Sequence, residues 1–313
     1  SSVESGVDEK TGVPIYSAYS GSSHAPTDAE MDTFDVMIVD IQDVGVRYYT
    51  YYITMYYLMD ACSKKGKEVI VLDRPNPNGF YTDGPILKDG FHSGVGVLPI
   101  PVVHGMTIGE LALMINGEGW LSAGKGACKL TVVPCDGYTY DTKYALLKNP
   151  SPNLKSMHAI YLYPSVCYFE NTAVSVGRGT NRPFEVFGSP YLEGGEYTFS
   201  FTPVSMEGAT SPVFEGQVCY GQDLGEIPDE EIFSEGIDLS YLIDAYRAMQ
   251  QLNPSIDFFG TPSGGQYYID KLFGTDSVRK QVEAGKSAEE IEASWQTEIE
   301  EFCRKRAPYR LYE

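Results

Sequence analysis

Residues 36–50 read VMIVDIQDVGVRYYT, and the order of apolar and polar residues in this stretch decides the fold class. The first four residues are an uninterrupted apolar run, which is typical of a strand covered on both faces of a sheet. Tyrosines and methionines at helical spacing then predict a helix over 48–65 that Gly66 ends. A second apolar run at 69–72 predicts the next strand. Strand, helix and strand in this order are typical of a parallel sheet.

The same alternation continues through the first half of the chain. Apolar runs at 101–103 and 130–133 predict two more strands, and 160–163 has the composition of a fifth. Thr107 and Glu110 have the spacing of a capping box, which predicts a helix from there to about residue 117. The predicted fold class is therefore α/β, with a Rossmann-like N-terminal domain over residues 1–187 that contains a largely parallel sheet.

Residues 188–313 are predicted to form a smaller, auxiliary α+β domain. Two half-buried strands are expected at 197–204 and 213–220, and the rest reads as helix. Ser287 and Glu290 form a second capping box, and the apolar residues that follow them make one stripe. The predicted helices are 239–252, 266–273 and 287–306, and the stripe consists of Ile291, Trp295, Ile299 and Phe302.

The composition excludes several classes of protein. The 313 residues include 23 Lys and Arg against 43 Asp and Glu, a net charge of −20. Such a charge repels phosphate backbones, so we expect neither nucleic acid nor an anionic membrane surface as a partner. Apolar residues make up 42% and aromatic residues 13%, so the chain is not a disordered acidic segment. The apolar stretch 48–59 is too short and too polar to span a bilayer.

No cofactor or metal signature is present in the sequence. The six cysteines include no CxxC pair, and the four histidines lack metal-ligand spacing. Cys128 and Cys135 could form a disulfide, but buried free thiols are the favoured interpretation. A dinucleotide fingerprint, a P-loop and a nucleophile elbow are all missing. These observations predict an enzyme that uses carboxylates without a cofactor or a bound metal.

Polar clusters follow three of the predicted strands. Because ligands bind beyond the carboxyl ends of strands in open parallel sheets, we expect the three clusters to share a pocket. His104 precedes a helix N-terminus, where the dipole favours a neutral imidazole. The candidate residues in these clusters are Gln42, Asp43, Arg47 and Tyr48 after the first strand, Asp73, Arg74 and Asn76 after the second, and His104 after the third.

Each of these residues also has a structural interpretation. Asp43 could cap the following helix, and Asp73 could form an internal ion pair with Arg74. His104 could be a core histidine with satisfied hydrogen bonds. The tyrosines between 48 and 57 are more typical of core than of a platform that stacks on sugars.

A fourth cluster lies in residues 169–185, a stretch without periodicity. It contains Glu170, Arg178, Arg182 and Glu185 among glycines that permit unusual backbone conformations. Arginines in such an acidic protein indicate a ligand with an anionic group. The competing interpretation is a buried network of salt bridges between the domains.

These clusters together resemble the NamZ family of exo-β-N-acetylmuramidases. The resemblance includes a C-terminal pattern that ends at residues 309–312 and covers most of the first 190 residues. The motifs that carry it are residues 40–51 (DIQDVGVRYYTY), 73–77 (DRPNP), 104–111 (HGMTIGEL), 150–153 (PSPN), 169–170 (FE), 177–180 (GRGT) and 183–185 (PFE).

The resemblance implies a Rossmann-like domain without a nucleotide and release of N-acetylmuramic acid from the non-reducing end of peptidoglycan fragments. It also implies a periplasmic or other extracytoplasmic location. Glycoside hydrolysis needs two carboxyl groups, and Glu170 is the first candidate, followed by Asp43 or Asp73. His104 would contact the sugar or tune a carboxylate, and Asn153 joins the substrate-binding candidates. Arg47, Arg74 and Arg178 are candidate partners of the lactyl carboxylate.

The sequence departs from the family pattern in two places. A strand–helix unit ending in Glu-His-Gly, which usually opens members of the family and carries a catalytic candidate, is not seen in this sequence. The loop after Phe169 is usually Glu-Gly-Thr-Asn, whereas here residues 170–173 read ENTA. A homologue that binds muropeptides without cleaving them, and a glycosidase with another sugar specificity, therefore stay open as alternatives.

Overall fold

The computed structural model describes residues 5–17 and 25–313, and its first half is an α/β arrangement. Strands β3 (Val36–Val39), β4 (Glu68–Leu72) and β5 (Lys129–Val133) form a parallel sheet in that order, while β1 (Gly6–Val7) and β2 (Pro14–Ile15) make a separate antiparallel pair. The predicted α/β fold with a parallel sheet is therefore confirmed. The elements of this half are β1 (Gly6–Val7), β2 (Pro14–Ile15), α1 (Asp28–Met31), β3 (Val36–Val39), α2 (Tyr51–Lys65), β4 (Glu68–Leu72), α3 (Ile108–Glu118), β5 (Lys129–Val133) and α4 (Met157–Val166).

Strand β3 lies at one edge of the parallel sheet. Val39 is buried, but Val36 is 40% exposed and Ile38 is 59% exposed. The expectation that this run is covered on both faces is wrong, because the side chains of Val36 and Ile38 lie open. A continuous apolar run identifies a strand but does not say how many of its faces are covered.

Local signals place the ends of the helices. Thr107 Oγ1 accepts from Glu110 N and the Glu110 carboxylate accepts from Thr107 N, so the predicted capping box is present. Gly66 ends α2 in the left-handed conformation with φ of 66°. The helix begins at Tyr51 rather than at residue 48, because Arg47 N donates to Val102 O and Tyr49 N closes a turn on Val46 O.

Two of the predicted strands are not strands of the sheet. Residues 160–163 lie inside helix α4, which Ser156 caps at its N-terminus and which is buried from Ala159 onward. A short apolar run is the same in a buried helix and a buried strand, so its composition alone misleads. Residues 101–103 form no strand, and of these three only Val103 makes isolated bridges, to Val46 and Asp83.

The second half is α+β, as predicted. Strands β6 (Val186–Ser189), β8 (Cys219–Asp223) and β7 (Phe199–Phe201) form an antiparallel sheet in that order. Strand β7 lies within the predicted 197–204, whereas the predicted 213–220 overlaps β8 only at its end, because Phe214 has φ of 60° and a turn joins Gln217 N to Phe214 O. The elements are β6 (Val186–Ser189), β7 (Phe199–Phe201), β8 (Cys219–Asp223), α5 (Asp229–Glu235), α6 (Ser240–Leu252), α7 (Tyr268–Phe273), α8 (Ser277–Glu283), α9 (Ala288–Glu292) and α10 (Gln296–Arg306).

The predicted helix 287–306 is two helices. Ser287 and Glu290 form the expected capping box, and the apolar stripe is buried. Trp295 lies between α9 and α10, is 2% exposed, and its indole Nε1 donates to Asp83 Oδ1 at 2.9 Å. This long-range bond holds the tryptophan at the break between the two helices.

One hydrophobic core joins the two halves of the chain. It contains side chains from Val44 to Ile299, and Phe302 packs into the second core around α2 and α3. Strand β6 spans the predicted boundary between residues 187 and 188, and the division of the chain there stays a prediction. All six cysteines are free, as the sequence favours. Within the described residues, no helix has the length and apolar character needed to cross a bilayer.

Candidate active site

Asp73, at the carboxyl end of β4, is fully engaged within the protein. Its Oδ1 accepts from Gly109 N at 2.7 Å and from Arg74 N at 2.9 Å. Its Oδ2 accepts from Thr107 Oγ1 at 2.7 Å and from Tyr312 OH at 2.5 Å. With four donors and 8% exposure, Asp73 holds the start of α3 and the C-terminal residues in place.

Arg74 does not pair with Asp73, which corrects the alternative of an internal ion pair between them. Its Nε donates to Asp40 Oδ1 at 2.7 Å and its Nη2 lies 2.5 Å from the same oxygen. Both side chains are more than 40% exposed, so the pair is on the surface, where an ion pair contributes little to stability.

The loops after the three predicted strands meet, as the sequence suggests, but they bind each other. Gln42 Nε2 donates to Asp43 O and Pro75 O, both at 2.8 Å. Asn76 Nδ2 donates to Met106 O at 2.8 Å, and the Asn76 side chain is 4% exposed. These amides therefore join neighbouring loops, and their proposed contacts with a substrate stay predictions.

Asp43 has the contacts of a helix cap. Its Oδ1 accepts from Gly45 N at 2.8 Å and its Oδ2 from Tyr52 N, in the first turn of α2, at 3.2 Å. Burial raises the pKa of Asp43 to about 7, although the two backbone donors act in the opposite direction. At 6% exposure the carboxyl contacts the loop rather than an open surface.

Arg47 and His104 are enclosed in the protein. The guanidinium of Arg47 donates to the carbonyls of Pro85, Ile100 and Leu272 and is 0% exposed, so a substrate carboxylate cannot reach it in this structure. His104 is 2% exposed, and its Nδ1 accepts from Met106 N.

The neutral imidazole predicted for His104 is confirmed, but its main cause is different. Burial, with added repulsion from Arg306 and Arg47, lowers the pKa of His104 to about 3. Direct contact with a sugar would require the surrounding loops to open.

The side chains of Tyr48 and Asn153 also bind backbone carbonyl groups of the protein. Tyr48 OH donates to Pro164 O at 2.8 Å, and its ring packs edge-on against Tyr163 with centroids 5.5 Å apart. Asn153 Nδ2 donates to Gly208 O at 2.9 Å and the residue is 7% exposed. The core interpretation of Tyr48 therefore describes its environment.

Glu170 and Arg178 form the ion pair that the fourth cluster presents to the surface. Arg178 Nε donates to Glu170 Oε1 at 2.6 Å, and the side chains are 36% and 21% exposed respectively. The guanidinium carbon lies 5.0 Å from the centre of the Phe184 ring, which is itself 1% exposed. Tyr163 packs against Phe184 with centroids 4.9 Å apart and thereby links this pair to Tyr48.

Part of the competing interpretation, a network of salt bridges, is present in the same loop. Arg182 pairs with Asp223, and Ser156 Oγ donates to Glu185. These contacts tie residues 177–185 to β8 and to the start of α4. The loop is therefore anchored on the C-terminal side of Arg178, while the Glu170–Arg178 pair itself stays partly open to solvent.

Comparisons with known proteins identify the family of this chain. The family profile described as exo-beta-N-acetylmuramidase NamZ, N-terminal, matches residues 1–158, and the C-terminal profile of the same family matches residues 161–312. The chain belongs to the NamZ family. This family consists of glycosidases, and the resemblance drawn from the sequence motifs is confirmed.

Individual relatives agree with the NamZ assignment. Peptidoglycan beta-N-acetylmuramidase NamZ of Bacillus subtilis (strain 168) is 36% identical over 99% of this chain and 75% of its own length. A crystal structure of a DUF1343 family protein from Bacteroides fragilis NCTC 9343 matches with a TM-score of 0.89 and 51% identity, over 98% of this chain and 82% of that one. A second protein of that family from the same strain matches over the same shares with a TM-score of 0.82 and 28% identity.

The loop that departs from the NamZ pattern keeps the backbone that a glycine would allow. Asn171 stands where Gly is usual and has φ of 59°, a left-handed conformation that Asn tolerates. Ala173 stands where Asn is usual, and its N donates to Phe258 O at 2.8 Å. The change at residue 171 therefore preserves the path of the chain, whereas the change at residue 173 removes a polar side chain.

Sequence reasoning did not single out Phe184, Tyr163 or Tyr312. Phe184 belongs to the 183–185 motif, but its position beneath Arg178 depends on a backbone conformation that composition does not reveal. Tyr163 lies in the run 160–163, which its composition predicts as a strand. Tyr312 belongs to the C-terminal pattern that ends at residues 309–312. Nothing in that pattern indicates that its hydroxyl donates to Asp73.

Proposed function

We propose that this chain is a glycoside hydrolase that releases N-acetylmuramic acid from the non-reducing end of peptidoglycan fragments, with Glu170 as one of its two reacting carboxyl groups. The observation that carries the proposal is the partly exposed Glu170–Arg178 ion pair in an anchored loop. Of the three carboxylates considered, Asp43 and Asp73 are 6% and 8% exposed and are engaged with backbone N–H groups. Membership of the NamZ family supports the choice of reaction.

The ion pair favours one of the two roles for Glu170. Hydrolysis of a glycoside needs an acid that protonates the leaving oxygen and a carboxylate that acts as base or nucleophile. Arg178 Nε donates to Glu170 Oε1, so the Glu170 carboxyl acts as the acceptor of a charge-assisted hydrogen bond. We therefore assign Glu170 to the second role, in which it activates water or attacks the anomeric carbon.

The proposed substrate also bears on location. Peptidoglycan lies outside the cytoplasm, so a periplasmic or otherwise extracytoplasmic enzyme is expected. Separation of cell compartments followed by immunodetection of the chain tests this expectation, and recovery of the chain in the cytoplasmic fraction alone would contradict it.

The test of function is release of free N-acetylmuramic acid from a chromogenic β-N-acetylmuramide by the full-length protein. Glu170→Gln should reduce kcat by about 10³-fold or more, because the amide cannot serve as base or nucleophile. Glu196→Gln changes an exposed glutamate outside the 169–185 cluster and is the control, with activity close to that of the unmodified protein.

Each other outcome has a distinct meaning. Unchanged turnover by folded Glu170→Gln would remove Glu170 from the reaction. Saturable binding of muropeptides without any turnover would favour the non-catalytic homologue. Preferential cleavage of another β-glycoside would favour the alternative sugar specificity.

A further inference from the structure

Three arginines are candidate partners of an anionic group on the substrate, and they differ in how their guanidinium groups are already engaged. Arg47 is enclosed, with its guanidinium on three backbone carbonyls. Arg74 directs both its Nε and its Nη2 to Asp40. A second anion would have to compete with Asp40 for Arg74, and it has no path to Arg47.

Arg178 is different because only one of its nitrogens is engaged. Its Nε donates to Glu170, whereas its Nη1 and Nη2 have no hydrogen-bond partner within residues 5–17 and 25–313. The side chain is 36% exposed, so this free edge of the guanidinium is accessible. A planar guanidinium edge with two free donors matches a carboxylate in geometry and charge.

Phe184 holds the guanidinium from behind. Its ring is buried, has its centre 5.0 Å from the guanidinium carbon, and packs edge-on against Tyr163. Its backbone has φ of 67°, which a bulky residue adopts only where the surroundings impose it. Phe184 N donates to Val176 O at 2.8 Å, and this bond keeps the ring in its place beneath Arg178.

The space beside the pair is small. A depression with a volume of about 20 Å³ is lined by Glu170 and Arg178 together with short side chains, among them Val174 and Ser175. A volume of this order accepts a group about the size of one water molecule and excludes a sugar ring. One oxygen of a carboxylate fits a space of this size, while the rest of the substituent and the sugar ring stay outside.

We propose that the free edge of Arg178 binds the carboxylate of the lactyl ether of N-acetylmuramic acid, and that Phe184 is the positioning residue for this contact. Arg178 is then the residue by which the enzyme distinguishes a muramyl from a glucosaminyl residue. This proposal rests on the proposed function, since it names the substrate group received at the same site.

The experiment compares two substrates that differ only in charge. The ratio of kcat/KM for 4-nitrophenyl β-N-acetylmuramide to that for its lactyl methyl ester isolates the contact, because the ester has almost the same shape but no charge. Arg178→Gln should lower this ratio by about 10- to 100-fold, as expected for the loss of a hydrogen bond between charged groups. Arg182→Gln, in the same loop but paired with Asp223, is the matched control and should keep the ratio.

The positioning role of Phe184 is tested separately, by two substitutions. Phe184→Leu should lower the ratio mainly through a higher KM for the acid, with kcat nearly kept, and Phe184→Tyr should restore the ratio. An equal loss on both substrates in Phe184→Leu would assign the ring to packing alone.

The proposal is overturned if Arg178→Gln loses activity equally on the acid and the ester, because Arg178 would then act only through Glu170. A protein without turnover would contradict the proposed function but still test this contact. Calorimetric binding of free N-acetylmuramic acid and of its methyl ester gives the same ratio without catalysis.

Discussion

Two non-glycine residues beside the Glu170–Arg178 pair have left-handed backbones. Asn171 has φ of 59° and Phe184 has φ of 67°. Asn is among the few residues that adopt this conformation at low cost, whereas an aromatic residue there must be compensated by its packing. The loop therefore depends on local backbone geometry at one residue and on burial at the other.

We expect Asn171→Ala to destabilise the protein by about 1 kcal/mol. Alanine disfavours a positive φ, because it has a Cβ but lacks the polar side chain with which Asn forms local hydrogen bonds in this conformation. Asn171→Gly should be close to neutral, since the side chain of Asn171 is exposed and a glycine accepts the same backbone. Urea-induced unfolding of the three proteins measures both differences. Equal stability of the alanine variant and the unmodified protein would contradict a left-handed residue 171.

At the scale of elements, His158 joins α4 to α5. Its Nδ1 lies 2.7 Å from Asp229 Oδ1, at the first residue of α5, and its Nε2 lies 2.9 Å from Leu224 O. Both partners can only accept, so both bonds form when the imidazole carries two protons. Burial alone would lower the pKa of His158, but the bonds to Asp229 and Leu224 outweigh burial and raise it.

This junction should be sensitive to pH. A folded-state pKa above the ordinary 6.5 means that the stabilisation by His158 is fully present below pH 6.5 and is lost as the pH rises through the folded-state value. The free energy of unfolding should therefore fall between about pH 6 and pH 9 more in the unmodified protein than in His158→Gln.

Chemical denaturation of both proteins across this pH range, repeated at high salt, is the measurement. The difference should shrink with salt, because the Asp229 side chain is 42% exposed and solvent screens the pair. Parallel pH profiles for the two proteins would show that folding does not raise the pKa of His158.

At the scale of the whole molecule, the C-terminal residues close the carboxyl end of the parallel sheet. Tyr312 OH donates to Asp73 and accepts from Cys135 N, and Leu311 N donates to Glu110 Oε1 at 2.7 Å. Arg306 Nη1 donates to the carbonyls of His104 and Gly105. Residues after α10 thus occupy the edge where an open α/β sheet usually binds its ligand.

Removing one hydroxyl at this edge should destabilise the fold. Tyr312→Phe loses the bond to the Asp73 carboxylate and leaves a buried carboxylate with one donor fewer, at a cost of about 1–3 kcal/mol. Tyr16→Phe, at an exposed tyrosine, is the control and should change stability by less than about 0.5 kcal/mol. Thermal and urea unfolding give both values, and equal stability of the two variants would mean that Tyr312 does not hold this edge.

Local signals in the sequence are enough for much of the fold and for the family. The apolar runs that became β3, β4 and β5 and both capping boxes, at Thr107 and Ser287, depend on residues within a few positions of one another. The motifs were specific enough to assign the NamZ family, and they placed Glu170 and Arg178 in one loop only eight residues apart.

Contacts between distant residues could not be read in the same way. The run at 160–163 is equally compatible with a buried strand and a buried helix, so only its surroundings decided for α4. The sequence does not distinguish the three candidate arginines. In the folded chain Arg47 is enclosed, Arg74 donates to Asp40, and Arg178 donates to Glu170 through Nε alone.

Short-range patterns of residues are thus enough to predict the α/β class, the family and the loop that holds the candidate carboxylate. Which polar residues are already hydrogen-bonded inside the protein depends on the folding of the whole chain. Asp73 and Tyr312 are 239 positions apart and their side chains share a hydrogen bond. Such a contact results from packing between whole elements, and no local pattern of residues encodes it.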